Sequence, residues 1–218
     1  MAFSYPLPLP VLAERLPISA VTWDVKRLDE ISGSSDGRIW QSEMASPKWT
    51  AEVELDRGFH SELRPLAAIM RKLHGSQEAF LLFDPVARFP AADPLGTVLG
   101  AAAPSVQAIA STRGRLRVAG LPSGYRLTAA DKGSIAYGSN PTRLFFFEFS
   151  EPVVAASNGI TPEVEVFPHI PAAIAAGAPI TLARPACRMI LLPDTFAPGR
   201  SRRMVTEGMR FKAIERIT

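Results

Sequence analysis

Apolar and polar residues alternate most regularly from Trp49 to Leu55, where tryptophan, alanine, valine and leucine occupy every second position. Threonine and glutamate fill the positions between them. A period of two predicts a strand with one buried face and one polar face. A second strand is predicted from Ile18 to Ile31, and a flexible turn over residues 33–37 joins it to residues 38–40. We interpret residues 18–31 and the segment that begins at residue 38 as the two strands of a hairpin.

A helix is predicted over residues 61–74, because the apolar residues there recur at spacings of three and four. Ser61 is the expected N-cap and Gly75 the expected left-handed C-cap. Pro65 is compatible with this helix only in or near the first turn, because proline has no backbone donor. A short apolar strand, Phe80–Phe83, comes next. The helix is therefore expected to flank a sheet.

Proline and glycine become frequent after Pro85, and helical periodicity does not return with any strength. Short strand-like runs separated by turn residues predict a small β-sandwich or barrel over residues 96–183. Two later strands, Cys187–Leu192 and Gly208–Ile217, are expected to close the first sheet, which makes residues 96–183 an insertion. The strands predicted within it are Thr97–Leu99, Ser105–Ala110, Arg115–Val118, Ser134–Tyr137, Leu144–Phe149, Glu163–Phe167 and Pro179–Leu182.

The segment Leu144–Phe149 is apolar on both faces for most of its length. Two interpretations fit this pattern: a central strand that is covered on both faces, or a strand with one face docked on another subunit. The internal role is favoured. Phe145 and Phe147 are the candidate interface residues under the second interpretation.

Four prolines, Pro6, Pro8, Pro10 and Pro17, predict that residues 1–17 form an extended arm that can reach a neighbour. The chain shows no signal-peptide pattern and no run of roughly 18 apolar residues, so we expect synthesis in the cytoplasm without membrane insertion. The predicted division is an arm of residues 1–17, a first β domain of residues 18–95 with 184–218, and the insertion of residues 96–183.

Composition and charge are those of an ordinary folded domain, with 47% hydrophobic and 21% charged residues. The net charge of +3 is uneven, because residues 184–218 contain eight basic residues and three acidic ones. Arg200, Arg202 and Arg203 lie together in a predicted turn. A phosphate-binding patch and a solvated strand face both fit this cluster, and the lack of interleaved aromatic residues favours the solvated face. A protein interface is a third use.

Residues that could carry chemistry are scattered along the chain. Cys187 is the only cysteine, so no intramolecular disulfide or thiolate zinc cluster can form, and a buried apolar role is favoured over a reactive thiol. His60, His74 and His169 are far apart in sequence, which does not predict a metal site. No glycine-rich phosphate loop occurs, and the G-x-S-x-G match at residues 33–37 lies in the flexible turn of the predicted hairpin, where no helix follows to form a nucleophile elbow. We therefore predict no enzyme activity, no catalytic residue, no cofactor and no metal.

Six segments, taken in order, resemble the distal tail proteins and related baseplate hub components of long-tailed, siphovirus-like bacteriophages, prophages and gene transfer agents. They are spread over residues 46–218, and it is their order that carries the resemblance, because each is mostly structural. The segments are WTAEVEL, ELRPLAAIMRKLHG, AFLLFDP, GLPSGYRLTAADKGSIAYG, EVEVFPHIPAAIAAGAPITLARP and CRMILLPD.

This resemblance implies a mainly β fold of the β-rich α+β type. Residues 18–95 and 184–218 would form a tail-tube-like β-barrel or sandwich flanked by the helix, with the small β domain 96–183 inserted. It also implies a structural protein of the virion tail tip, present in the host cytoplasm during assembly. Copies would form a ring, commonly sixfold in distal tail proteins and threefold in hubs, that joins the tail tube protein to hub, fibre or receptor-binding proteins. No specific nucleic-acid binding is expected.

Subunit contacts are the expected use of the surface. Trp40 and Trp49 are candidate anchors of the hairpin, although both also fit a core role. Arg200, Arg202 and Arg203 are the candidate contact to an acidic patch on the next subunit.

Two other functions stay open from the sequence. A tail-associated cell-wall hydrolase would require two carboxylates that converge in a cleft. A host carbohydrate-binding β module in residues 96–183 would require exposed aromatic side chains such as Tyr125 and Tyr137.

Overall fold

The computed structural model describes residues 3–33 and 35–217, and its fold is mainly β, as predicted. Ser34 of the predicted turn and residues 1 and 2 of the predicted arm lie outside the described residues. The helices are two short 3-10 turns, Leu9–Val11 and Ala13–Arg15, and α1, His60–Lys72. The strands are β1 Ile18–Gly33, β2 Ile39–Leu55, β3 Gly58–Phe59, β4 Phe80–Leu82, β5 Ser105–Ile109, β6 Arg115–Ala119, β7 Arg126–Leu127, β8 Lys132–Tyr137, β9 Arg143–Phe149, β10 Val153–Val154, β11 Val164–Phe167, β12 Ile180–Thr181, β13 Cys187–Leu191, β14 Ala197–Arg202 and β15 Val205–Glu215.

The chain divides into two compact units, and both are discontinuous in sequence. The hairpin unit contains residues 16–78 and 189–216. The barrel unit contains the described residues 3–15, 79–188 and 217. Residues 79–95 thus belong with the barrel unit, whereas the sequence analysis placed them with the first domain.

The hairpin unit is built on a sheet in which β2 lies between β1 and β15. β15 pairs with β2 over Thr50 to Glu54, and Met189–Leu191 of β13 pair with the far end of β15. β14 and the two-residue β3 pair with the beginning of β15. The alternation predicted for residues 49–55 is confirmed, because their apolar side chains are buried while Glu52 and Glu54 are exposed.

Helix α1 buries one apolar stripe, formed by Leu63, Leu66, Ala67, Ile69 and Met70. It begins at His60 with Phe59 in the N-cap position, so the predicted cap at Ser61 is wrong. Pro65 lies inside the helix rather than in its first turn. Glu62 near the positive end and Arg71 with Lys72 near the negative end complement the helix dipole.

In the barrel unit, six strands form a sheet in the order β12-β8-β9-β11-β6-β5. An antiparallel bridge between Ser105 and Pro179 joins its two ends, so the sheet is nearly closed into a barrel. Two backbone hydrogen bonds support this closure: the Val106 N–H donates to Ala178 at 2.9 Å, and the Ile180 N–H donates to Pro104 at 2.8 Å. Closure removes the exposed strand edges of an open sheet.

β9 is a central strand of this sheet, which confirms the favoured interpretation of its apolar sequence. Phe145, Phe147 and Phe149 all point into the barrel core. The Phe145 and Phe147 rings stack with centroids 5.5 Å apart, and Phe149 meets Phe147 edge-on at 5.3 Å. Gly133 on β8 leaves room for the Phe147 ring, since a Cβ there would lie 2.6 Å from it. The three rings therefore pack as one aromatic cluster in the core of the unit.

The N-terminal segment differs from the predicted extended arm. Its prolines are accommodated, but Leu7, Leu12 and Ala13 are buried. Leu7 forms a parallel bridge with Phe80, and its N–H donates to Ala79 at 2.9 Å. Burial of leucine outweighs the extended preference of the proline-rich backbone.

Two further predictions about strands differ from the structure. Residues 97–101 form turns, so the predicted strand Thr97–Leu99 is wrong, and Asp93 accepts the N–H groups of Val98 and Leu99 there. β14 was not predicted, because Pro198 and Gly199 interrupt its pattern. Its pairing with β15 is nevertheless regular over most of the strand.

Candidate assembly surface

The β1–β2 hairpin has a covered half and a bare half. β2 is a single strand of 17 residues, but β15 covers only Thr50 to Glu54 of it. Every residue from Ile39 to Ser46 is exposed, and residues 28–33 of β1 pair with this part of β2 alone. The segment of residues 28–33 and 39–45, which we call the distal hairpin, is therefore a two-stranded ribbon with which no other strand of the described residues pairs.

The boundary between the two halves coincides with a change of register. The pairing shifts between Lys26 and Leu28 and again between Leu28 and Asp29. Pro47 lies opposite this irregularity, where its missing N–H costs no regular ladder bond. Bulges of this kind increase twist and bend a strand. The distal hairpin thus begins at a defined backbone feature.

Large apolar side chains are exposed on both faces of the distal hairpin. Cross-strand partners share a face, so Trp40 lies with Ser32, and Ile31 lies with Gln41 on the opposite face beside Ile39. Trp40 is 65% exposed and Ile39 is 75% exposed. A two-stranded ribbon is marginally stable in water without a partner surface. Such a clustered apolar area makes the distal hairpin a candidate contact surface. The exposed members are Leu28, Ile31, Ile39, Trp40 and Met44.

A polar cluster holds the base of the distal hairpin together. Arg27 donates to Asp29 at 2.8 Å and lies 3.6 Å from Glu43 on the other strand. Gln41 also donates to Asp29. The hydrogen bond from Arg27 lowers the pKa of Asp29 below its usual value, outweighing the burial that acts to raise it. These cross-strand contacts keep the ribbon in register.

The basic turn between β14 and β15 lies at the other end of the sheet. Arg200, Arg202 and Arg203 are exposed, as predicted for a surface cluster, and Arg202 pairs with Glu207 at 3.2 Å. His60 links helix α1 to this turn. Its Nδ1 lies 2.8 Å from the Thr206 hydroxyl and its Nε2 lies 2.6 Å from the Arg203 carbonyl, to which it donates.

The candidate interface residues proposed from the sequence fall in four places. Trp40 lies on the distal hairpin, and the three arginines lie on the β14–β15 turn. Trp49 is 2% exposed and belongs to the core of the hairpin unit, so its side chain is not on the surface. Phe145 and Phe147 are buried in the barrel core on one face of β9, and Phe146 on the other face is buried as well. These three aromatic residues therefore do not form a surface for a neighbouring subunit.

The apolar neighbours of Trp40 on the distal hairpin were not predicted from the sequence. Apolar residues occupy both odd and even positions of this part of β2, namely Ile39, Trp40 and Met44. This breaks the alternation expected of a strand with one covered face. That break in alternation was the available signal.

A buried ionic cluster occurs in the barrel unit. Lys132 lies 3.1 Å from Glu148 and 4.0 Å from Asp84, with its ammonium 6.0 Å from the centre of the Phe146 ring. The carboxylate of Asp84 also accepts the Val86 N–H at 3.0 Å. Each carboxylate is paired, which is the usual requirement for burying charge.

The other buried acids of the barrel unit anchor loops. Asp131 accepts the N–H groups of Ala91 and Thr128, both at 2.7 Å. The Tyr125 hydroxyl donates to Asp93 at 3.4 Å. Burial acts to raise the pKa of Asp93, but hydrogen bonds from backbone N–H groups such as that of Leu99 lower it further, so the net shift is downward.

Tyr125 and Tyr137 are both buried, so they do not form the exposed aromatic platform that the carbohydrate-binding alternative requires. Across residues 3–33 and 35–217, no group of three or more histidine, cysteine or acidic side chains is arranged to hold a metal ion. Within the same residues, no helix is long and apolar enough to cross a membrane.

Comparison with known proteins adds no family assignment. No protein-family model matches the sequence. The search of curated proteins likewise gives no match.

Proposed function

We propose that this protein is a structural component of a phage-like tail tip. Copies of it join into a ring that connects the tail tube to hub, fibre or receptor-binding proteins. Its role in this proposal is assembly, and it catalyses no reaction. The proposal draws on the order of sequence segments that resemble distal tail and hub proteins, and on one structural observation.

That observation is the distal hairpin. Apolar side chains on both of its faces, including Trp40 and Ile39, are exposed in the isolated chain. β1 is also the edge strand of its sheet, so its outer backbone groups face no strand within the described residues. A long edge and an exposed apolar ribbon are liabilities in a monomer, because they invite pairing with other chains. Both become useful when a second copy covers them.

The experiment is a mass measurement of the purified full chain by sedimentation velocity over a wide concentration range, with negative-stain imaging of the same samples. We expect a closed oligomer with an open centre, of six subunits for a distal tail protein or three for a hub. Adding the matching tail tube protein should place the ring at the end of the tube. A protein that stays monomeric at every concentration, with and without the tube protein, overturns the proposal.

A matched pair of variants separates the hairpin from general surface hydrophobicity. Replacing Ile39 and Trp40 with serine should abolish the oligomer while leaving the fold intact. Replacing Val86 and Leu95, which are equally exposed apolar residues of the barrel unit, should leave the oligomer unchanged. If both double variants behave alike, the distal hairpin is not the contact surface.

A further inference from the structure

A groove runs between helix α1 and strand β14 within the hairpin unit, with a volume of about 640 Å³. Leu63 and Ala67 of α1 lie at its buried side, and Pro198 of β14 forms part of the opposite wall. On the exposed helix face, Arg64, Ala68 and Arg71 follow one another at spacings of four and three, which places them in one row. The small Ala68 leaves an apolar recess between two guanidinium groups.

The rim of this groove is positively charged. Arg64 and Arg71 are exposed, and neither makes an ion pair with another described residue. Arg200 and Arg203 of the adjoining turn add further positive charge at the same end of the unit. Phe59 and Met204 are exposed there as well, and the Met204 carbonyl accepts the His60 N–H at 3.1 Å. The groove therefore offers apolar contact within a basic rim.

The distal hairpin has the complementary character. Its residues, 28–33 and 39–45, contain three carboxylates and no basic side chain. Glu30 is paired with Ser42 and lies on the same face as Trp40, whose cross-strand partner is Ser32. Glu30 makes no ion pair among the described residues, unlike Asp29 and Glu43, which contact Arg27. One face of the ribbon thus presents an exposed indole beside an unpaired carboxylate.

Groove and ribbon cannot meet within one chain. Trp40 lies fifteen residues from Leu55 along β2, which corresponds to about 50 Å of extended strand. The groove lies beyond Leu55, where β3 pairs with Thr206 and leads directly into α1. Helix α1 is only about 20 Å long, so it cannot return to the hairpin tip. A contact between these two surfaces must therefore join different copies.

We infer that the Trp40 and Glu30 face of the distal hairpin docks into the Arg64–Ala68–Arg71 groove of a second copy of this chain. Trp40 packs on Ala68 and Pro65 against the guanidinium groups, and Glu30 pairs with Arg64 or Arg71. This inference rests on the proposed function and specifies its subunit contact. The two surfaces differ, so the contact is heterologous, and repeating it closes a ring or extends a filament.

Charge reversal across the contact tests the inference with the full chain. The hairpin variant is Glu30→Lys, and its control is Glu54→Lys on the covered half of the same strand pair. The groove variant is Arg64→Glu with Arg71→Glu, and its control is Arg126→Glu with Arg210→Glu, two exposed arginines that make no ion pair with another described residue. Sedimentation velocity measures self-association of each protein alone and of the two variants mixed.

Each variant alone should self-associate at least about tenfold more weakly than the unaltered chain, because like charges then face each other. The controls should associate normally. Mixing the hairpin variant with the groove variant should restore association, as a closed ring if the number of subunits is even and as a mixed dimer if it is odd. In the mixture, the hairpin variant presents a lysine at position 30 to the acidic groove of the groove variant. The groove variant in turn presents its unaltered Glu30 to the basic groove of the hairpin variant. The two variants would therefore alternate along the assembly.

The possible outcomes separate the two proposals. If the unaltered chain never associates, both the ring and the docking contact are wrong. If it associates but the groove variant does so equally well, the ring stands and this contact is refuted. If the hairpin variant fails alone and mixing does not rescue it, the hairpin binds a different surface and the groove assignment is refuted.

Discussion

Glu215 makes the stability of the hairpin unit depend on pH. It ends strand β15, is 6% exposed, and its Oε2 accepts the Trp49 N–H at 3.2 Å. Burial raises the pKa of Glu215 from 4.5 to about 7, although the hydrogen bond from Trp49 and the charge of Lys48 act in the opposite direction. The carboxyl group is thus kept protonated in the folded chain over a range where it ionises in the unfolded chain.

The sign of the effect follows from proton binding. Between pH 4.5 and about 7 the folded state holds a proton on Glu215 that the unfolded state has lost. The free energy of unfolding therefore falls as pH rises through this range, and the full stabilisation is present only below pH 4.5. A pKa rise of this size corresponds to about 3 kcal/mol.

Replacing Glu215 with glutamine should remove this dependence, because the amide oxygen still accepts the Trp49 N–H but carries no charge. The free energy of unfolding is measured by urea unfolding at pH 4.5 and pH 8.5, followed by tryptophan fluorescence. The fluorescence reports on the hairpin unit alone, since Trp23, Trp40 and Trp49 all lie in it. Relative to the unaltered chain, Glu215→Gln should gain about 3 kcal/mol of stability at the higher pH.

The exposed Glu54→Gln variant is the control and should follow the unaltered chain at both pH values. Equal pH dependence in Glu215→Gln and the unaltered chain would refute the reasoning, because the buried carboxyl could not then be the titrating group.

Two further substitutions test the packing and the turn. Phe147→Ala should cost about 3–5 kcal/mol, because the fully buried ring packs between Phe145 and Phe149 and leaves a cavity. Calorimetric unfolding measures this loss, and a change below about 1 kcal/mol would mean that the site collapses around the smaller side chain. His60→Ala should lower the free energy of unfolding by about 1–3 kcal/mol, because it removes hydrogen bonds to Thr206 and Arg203. Urea unfolding followed by tryptophan fluorescence tests this, and an unchanged midpoint would show that the turn is held by other contacts.

Local periodicity predicted the helices and strands in which each face lies wholly in the core or wholly in solvent. The alternation of residues 49–55 and the three-and-four spacing in α1 correspond directly to buried faces in the structure. The doubly apolar β9 is a central strand for the same reason, since Phe145 and Phe147 on one face and Phe146 on the other are all buried. Most short strands of the barrel unit were also placed within a few residues.

Elements that depend on distant partners were not predicted from local pattern. β14 has little apolar alternation and forms because it pairs with β15. The N-terminal prolines favoured an extended arm, yet the burial of Leu7 and its bridge to Phe80 determine where that segment lies. The groove on α1 also escaped prediction, because its second wall comes from residues more than 120 positions later in the chain.

The two tryptophans of β2 show which features the sequence predicts and which depend on the tertiary structure. The sequence alone predicted a β-rich chain with one principal helix, and it left both a surface role and a core role open for Trp40 and Trp49. Trp49 is buried because β15 returns late in the chain to pair beside it and to bring Glu215 against its backbone. Trp40, nine residues earlier in the same strand, is exposed because β15 does not reach that far. Burial of a strand residue depends on which neighbours arrive from elsewhere, and only the tertiary structure decides that.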